Sequence, residues 1–276
     1  MRTIICLLFI NLLWINNSSA QTEINETIKN VGDKLIEFDF ERANVNLKTW
    51  DKNEILIKGF VSINVGENDD NFEIEIKESA DKISIETFIK DFKNIPKVNV
   101  LHIGKHKGVF KRNSKGRAAM RAFKKKYRDE DCNFYSEGDG VDVDIELEIF
   151  VPKKSNLNSK SLYGSIKLTD VSASLEIENT YGSIETILAN NNPNQTIDLH
   201  STYSFVDLSI PESVKADINM KTGYGEIFTD VDIKREGKAP VQRSFGAKVK
   251  GTLNGGGVAV NLEANYQNIY LRKKTK

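Results

Sequence analysis

Apolar and polar residues alternate along most of the chain after residue 34. Ile36, Phe38 and Phe40 alternate with Glu37 and Asp39, and Val45 and Leu47 with Asn46 and Lys48. Ile55 and Ile57 open a further run, Phe72, Ile74 and Ile76 alternate with Glu73 and Glu75, and Ile83 and Ile85 follow. A period of two predicts strands that turn one side chain in two toward a core. Asp51-Lys52-Asn53, Gly66-Glu67-Asn68-Asp69 and Ser79-Ala80-Asp81 supply the turns between them. The most regular run sets Val141, Val143, Ile145, Leu147 and Ile149 against Asp142, Asp144, Glu146 and Glu148, and stops at Pro152. Val206, Leu208 and Ile210 stop in the same way at Pro211, as expected of a residue that cannot donate to a ladder.

A longer period overlies this alternation. Tyr163-Gly164-Ser165-Ile166 returns as Tyr181-Gly182-Ser183-Ile184, and weaker copies follow at Tyr203-Ser204-Phe205-Val206, Tyr224-Gly225-Glu226-Ile227, Phe245-Gly246-Ala247 and Tyr266-Gln267-Asn268-Ile269. The aromatic positions are 18, 22, 21, 21 and 21 residues apart. A fixed period of this size predicts a solenoid whose coils bury their apolar sides against their neighbours. The expected fold class is therefore all-β: a parallel β-solenoid, or β-helix, with coils of about 18–22 residues. Within each coil the tetrad reads as a corner: an aromatic, a glycine needing positive φ or close approach, an outward variable residue and an inward aliphatic. Coils stacked at about 4.8 Å would place each tetrad Ile above the previous one. Lys248 falls where an Ile is expected, so that coil carries a bulge or the register moves to Val249.

Residues 105–128 interrupt the alternation. They hold eleven Lys or Arg and no acid, whereas Asp129–Glu148 hold nine acids and no base. Arg117 to Arg128 fits a partly helical insertion with Arg117, Arg121, Lys124 or Lys125, and Arg128 on one face. Ala119, Met120, Ala122, Phe123 and Tyr127 fall on another. The two blocks either neutralise each other or leave a basic face for a polyanion, such as an anionic lipid surface. Specific nucleic-acid recognition is not expected, because stacking aromatics are sparse and no known module is present.

Composition narrows the class. Hydrophobic residues make up 39% and charged residues 28% of 276, which suits a real core and excludes wholesale disorder. Formal net charge is zero, so bulk charge selects no partner. The first 20 residues read as a signal peptide: Arg2, an apolar run from Ile4 to Trp14, then Ser18 and Ala20 in small-x-small spacing before Gln21. The run is shorter than the roughly 20 apolar residues of a membrane span, so no transmembrane anchor is expected after cleavage. The expected organisation is a signal peptide at 1–20, a lead-in at 21–33 and a solenoid at 34–276 with the charged insertion at about 95–140. Export across the inner membrane follows, to a periplasmic, outer-surface or secreted location. After cleavage Cys132 is the only cysteine, so no intramolecular disulfide is possible.

Two sets of residues resemble a known family. One is Trp50-Asp51-Lys52-Asn53-Glu54-Ile55 after an alternating strand. The other is the Tyr-Gly-x-Ile repeats, closed by Leu253-Asn254-Gly255-Gly256-Gly257 and Asn268-Ile269-Tyr270-Leu271-Arg272. Together they resemble the bacterial adhesin-like β-strand-repeat proteins of unknown function, relatives of the head domain of the putative autotransporter adhesins. The resemblance covers most of the chain after residue 30 apart from about 95–135, and implies an exported, repeat-built β-solenoid. It brings no catalytic residues.

The residues themselves supply little chemistry. Asp198, His200 and Ser201 are close in sequence, but Asp198 and His200 share the outward face of one strand with Thr196. A nucleophile needs a base within reach and donors for an oxyanion, and no such set is discernible. Gly255-Gly256-Gly257 lacks the lysine and helix of a phosphate loop and reads as a turn before the final strand. The three histidines and Cys132 have no zinc spacing, and no cofactor or metal is implied. Parallel β-helices also include polysaccharide-active enzymes, for which Asp142, Asp144, Asp198, Asp207, Asp217 and Asp230 would be the acids. The favoured expectation is a non-catalytic cell-envelope or surface adhesin-like scaffold. Its contact residues would be an aromatic ladder (Tyr163, Tyr181, Tyr203, Tyr224, Tyr266) or the basic set (Arg117, Arg121, Lys124, Lys125, Arg128). An envelope protein, a glycan or an anionic lipid surface are the expected partner classes.

Overall fold

The computed structural model describes residues 21–128, 135–189, 196–237 and 245–275. Residues 1–20, expected as a signal peptide, Cys132 and the first acids of the acidic block lie outside the described residues.

The first part of the chain forms β1 (Thr22–Lys29), β2 (Leu35–Phe40), β3 (Asn44–Trp50), β4 (Glu54–Ile63), β5 (Phe72–Glu78) and β6 (Lys82–Ile89). The insertion follows as β7 (Val98–Ile103), β8 (His106–Lys111), the helix α1 (Ser114–Lys126) and β9 (Tyr135–Gly140). A long strand, β10 (Val143–Pro152), then returns the chain to the body. The repeats give short strands in pairs: β11 (Leu157–Ser161) and β12 (Ile166–Val171), β13 (Leu175–Asn179) and β14 (Ile184–Leu188), β15 (Ile197–Ser201) and β16 (Val206–Ile210). The remainder is β17 (Ala216–Thr222), β18 (Ile227–Thr229), β19 (Lys234–Arg235), β20 (Lys248–Leu253), β21 (Val258–Ala264) and β22 (Ile269–Lys273).

Two long sheets face each other. One runs β1-β4-β10-β3-β12-β14-β16-β22-β18, and the other β19-β20-β17-β21-β15-β13-β11-β2-β6-β5. Alternate residues point inward: β13 buries Leu175, Ile177 and Asn179, and β14 buries Ile184, Thr186 and Leu188. The inward aliphatics of both sheets form one continuous core from Val31 to Leu271. Each is worth roughly 1.5–3 kcal/mol when removed from water, so the core rests on many equal small terms.

Both sheets are mixed. In the middle, neighbouring coils pair in parallel, as in β11 with β13 and β14 with β16. Toward three of the four sheet ends the pairing is antiparallel, β1 with β4, β4 with β10, β5 with β6, and β17 with β20, while β18 ends the first sheet in parallel with β22. This corrects the expectation of a wholly parallel solenoid. The reason lies in short connections such as the Asn53 turn, which reverse the chain within one sheet instead of carrying it across to the other. Residues 22–29, expected as a lead-in, form the edge strand β1.

The coils are also not stacked in chain order. Ile166, Ile184 and Val206 lie above one another as expected, but Val206 pairs next with Ile269, and Ile269 with Ile227. The final strand pair, β21 and β22, is thus inserted between the coil β15/β16 and the coil β17/β18. Phe245-Gly246-Ala247 does not open another coil, because β20 runs antiparallel to β17, pairing Lys248 with Lys221 and burying Val249. The turn at Asn254, Gly255 and Gly256, all at positive φ, reverses the chain between β20 and β21.

The insertion forms a separate three-stranded sheet, β8-β7-β9, with α1 against β8. Asn113 caps the helix by accepting from the Gly116 amide at 2.8 Å. Phe123 and Tyr127 make its apolar face, with Phe110 edge-on to Phe123 and His106 stacked on Tyr127. Ala119 and Ala122, expected on that face, are exposed.

Candidate functional site

The corner between the two sheets is built from the tetrads. Tyr181 N donates to Leu162 O at 3.0 Å, Tyr203 N to Thr180 O at 2.9 Å, Tyr266 N to Thr202 O at 3.1 Å and Tyr224 N to Asn265 O at 2.9 Å. The backbone ladder therefore continues round the bend and sets the register of the tyrosines. Gly164, Gly182 and Gly225 serve close approach, with no positive φ. A Cβ at Gly182 would lie 2.1 Å from Gly164 O, and one at Gly225 2.0 Å from Gln267 O.

Inside the corner lies a set of polar residues that the sequence reading missed. Ser161, Asn179, Ser201 and Thr222 each sit two residues before a ladder tyrosine, at an inward position. Asn179 Nδ2 donates to Gly164 O at 2.7 Å, and its Oδ1 accepts from Gly182 N at 2.9 Å. Ser201 Oγ donates to Gly182 O at 3.0 Å, and Thr222 Oγ1 to Gly225 O at 2.6 Å. Each occupies a backbone group that the sharp bend leaves without a ladder partner. A small polar residue two positions before four of the five tyrosines (Ala264 precedes Tyr266), where alternation calls for an aliphatic, was the available signal. The third tetrad position is not uniformly outward: Ser183 is buried, and its Oγ lies 3.1 Å from Ser165 Oγ.

The structure brings all five ladder tyrosines together, in an order that follows the coils. Successive centroids are 5.1 Å apart from Tyr163 to Tyr181, 4.9 Å to Tyr203, 4.9 Å to Tyr266 and 5.1 Å to Tyr224. Interplanar angles are between 7° and 12°. Phe245 continues the row, tilted, at 6.0 Å from Tyr224. At the other end the Arg42 guanidinium lies between the Tyr163 ring, at 4.4 Å, and the Phe92 ring, at 4.0 Å. The tyrosines are 46–63% exposed, a large apolar area to leave in water in a continuous row.

The basic set is only partly available. Lys124 pairs with Glu137 at 2.7 Å, Arg112 with Asp139 at 3.0 Å and Lys107 with Asp142 at 2.7 Å. The acidic block thus folds back on the basic one. Arg117, Arg121, Lys125 and Arg128 are exposed.

The candidate acids do not converge. Asp142 and Asp207 are held by Lys107 and Arg272, and Asp230 accepts from Lys273 N at 2.7 Å. Asp198 and His200 lie on the outer face of the second sheet, whereas Ser201 points into the corner, so the three form no catalytic set. Desolvation holds the Asp198 carboxyl above its ordinary range, opposed by a hydrogen bond with Asn261. Asp207 is also raised by desolvation, against the pull of Arg272. Among the described residues no group of three or more His, Cys, Asp or Glu is placed to hold a metal, and no helix is long and apolar enough to cross a membrane.

Residues 137–254 match the family model Toastrack DUF4097. Among solved structures, the chain is similar to a "putative cell adhesion protein" from Clostridium sporogenes ATCC 15579, at 13% identity and a TM-score of 0.59 over 92% of this chain and 100% of that one. That likeness shows a shared fold. A "putative adhesin" from Bacteroides fragilis NCTC 9343 also matches, over 92% of this chain and 98% of that one, at 8% identity and a TM-score of 0.31, too low to carry an argument. No curated protein matches the chain. The family match covers under half of the chain and the structural likeness shows the fold alone; neither points to autotransporter head domains in particular.

Proposed function

We propose that this protein is an exported, non-catalytic scaffold of the cell envelope or surface, and that its tyrosine ridge is the surface by which it holds a ligand or partner. The observation that carries this reading is the stack from Tyr163 to Tyr224, exposed along its length and fixed in register by backbone hydrogen bonds. A structural corner needs packing beneath the rings, which Ser161, Asn179, Ser201 and Thr222 already supply with hydrogen bonds. The exposed aromatic row is surplus to that need. The likeness to one structure named for cell adhesion agrees with the reading.

The test is retention of the purified chain on immobilised glycans, envelope proteins and anionic vesicles, with a variant carrying Tyr181→Ala, Tyr203→Ala and Tyr266→Ala. Retention on at least one surface, lost in the variant while the melting temperature shows a folded protein, is the expected result. Equal retention by the variant removes the ridge from the function. Turnover of any glycan in the same panel would replace the scaffold reading with that of a polysaccharide-active enzyme. Export is tested separately, by fractionating cells that express the chain with and without residues 1–20.

A further inference from the structure

The ligand class of the ridge follows from what its stacking leaves open. A sugar or an aromatic guest ordinarily lies on a ring face, and in this row the faces are taken. Each interior tyrosine has a neighbour on both sides at 4.9–5.1 Å, so the 46–49% of its surface that remains open is ring edge and phenol end. What the ridge presents is therefore a line of hydroxyl groups at a nearly constant step. None of these five hydroxyls bonds to another group among the described residues.

The ground beside the row carries little charge. The tyrosine tetrads and the residue before each, 162–166, 180–184, 202–206, 223–227 and 265–269, contain one acid, Glu226, and no base. In a chain with 28% charged residues this neutral strip is selective. Thr180, Thr202, Ser204 and Gln267 flank the rings with further neutral polar groups, while Asn265 and Asn268 are bonded to His200, Glu226 N and Tyr270. An anionic polymer or lipid headgroup would need cations here, and Arg42, at one end, is already placed between two rings and beside Glu41.

Resting on the reading of the ridge as a ligand surface, we infer that its ligand is a neutral, extended polysaccharide lying along the stack, one sugar to each tyrosine step. The spacing favours this over a peptide, because an extended chain advances only about 3.3 Å per residue and falls out of phase with a 5 Å row. A pyranose linked across opposite ring positions spans a length close to one step, and its equatorial hydroxyls meet phenol hydroxyls edge-on. Such contacts are neutral hydrogen bonds, which salt does not screen.

The experiment uses residues 21–276 with a soluble neutral β-linked glucan, its oligosaccharides of increasing length, heparin and anionic phospholipid vesicles. Binding is measured by calorimetry at low and high salt. The variant is Tyr181→Phe, Tyr203→Phe and Tyr266→Phe, which keeps the stack and removes the hydroxyls. Affinity that rises with each added sugar until the oligosaccharide spans the ridge, that is unchanged by salt and that falls at least tenfold in the Phe variant is the expected result. Preference for heparin or vesicles, loss of binding in high salt, or equal affinity of the Phe variant overturns the inference. If neutral glucans are ignored while the alanine variant still loses another ligand, the ligand class fails and the ridge stands. If neither variant alters binding to anything, both readings fall.

Discussion

At the residue scale the corner depends on what is missing from its glycines. Gly182→Ala places a methyl group 2.1 Å from a backbone oxygen and 2.7 Å from Asn179 Nδ2, neither of which is a free side-chain end. Coils would have to part, and the expected loss is about 1–3 kcal/mol or more. Gly138→Ala meets nothing within 4 Å and should change stability by less than about 0.5 kcal/mol. Urea unfolding of the two variants side by side checks the contrast. Asp198 gives a prediction with a pH sign. Desolvation raises its folded pKa above 3.8, so the folded state holds the proton more tightly than the unfolded chain does. Its contribution to stability is then present below pH 3.8 and is lost as the pH rises through the folded value. Asp198→Asn should raise the melting temperature at neutral pH, with the difference disappearing below pH 3.8. A gain that grew as the pH fell would reverse the sign and rule out desolvation as the cause. The tyrosines were legible in the sequence because aromatic residues mark a fixed period. Asn179 and Ser201 were not, since an inward polar residue looks like an interruption of the alternation until the bend it bonds to is known.

At the element scale the strands were the most legible feature, because period-2 alternation reports directly on which side chains enter the core. Strand direction was not. Alternation is identical for parallel and antiparallel neighbours, so β4 and β20 read as members of coils although each reverses against its neighbour. The helix was legible from its basic spacing, but its cover was overestimated: Met120, Phe123 and Tyr127 are half-buried, Ala119 and Ala122 are exposed, and no residue of α1 is buried. Beside the buried Val98, Leu101 and Ile103 of its sheet, the exposed ion pairs of the insertion at 2.7–3.0 Å, Lys124–Glu137 and Arg112–Asp139, are worth about 0–1 kcal/mol each. Replacing Arg117, Arg121, Lys124 and Lys125 by Ala should therefore leave the melting temperature of the whole chain nearly unchanged. Lys124 is already neutralised by Glu137, so if the exposed cations do bind polyanions, retention on heparin should follow Arg117, Arg121 and Lys125. Restoring Lys124 alone should recover little. Wild-type retention by the quadruple variant would leave the insertion as a self-neutralised module.

At the scale of the whole molecule, the order of the coils is what no repeat period reveals. The period shows that Tyr266 belongs to a coil; only sheet register shows that this coil lies between those of Tyr203 and Tyr224. The insertion makes the C-terminus an interior part of both sheets. Strand β21 pairs with β15 on one side and β17 on the other, and β22 with β16 and β18. The segment that matches a family model, 137–254, ends before β21 and begins after β2 and β3, on which β11 and β12 pair. A chain restricted to it would leave β15 and β16 as open apolar edges and separate β17 and β18 from the core. Since a repeat array gains its stability from interfaces between neighbouring coils, losing one from the middle removes two interfaces where losing an end coil removes one. The expectation is that residues 137–254 alone form no cooperative fold and associate through their strand edges, whereas 21–276 melts in a single β-rich transition. A chain ending at residue 257 should behave like the fragment, and a peptide of residues 245–276 added to it should restore both the transition and the tyrosine stack. Cooperative melting of the shorter chain without the peptide would mean that the final coil only decorates a body already complete.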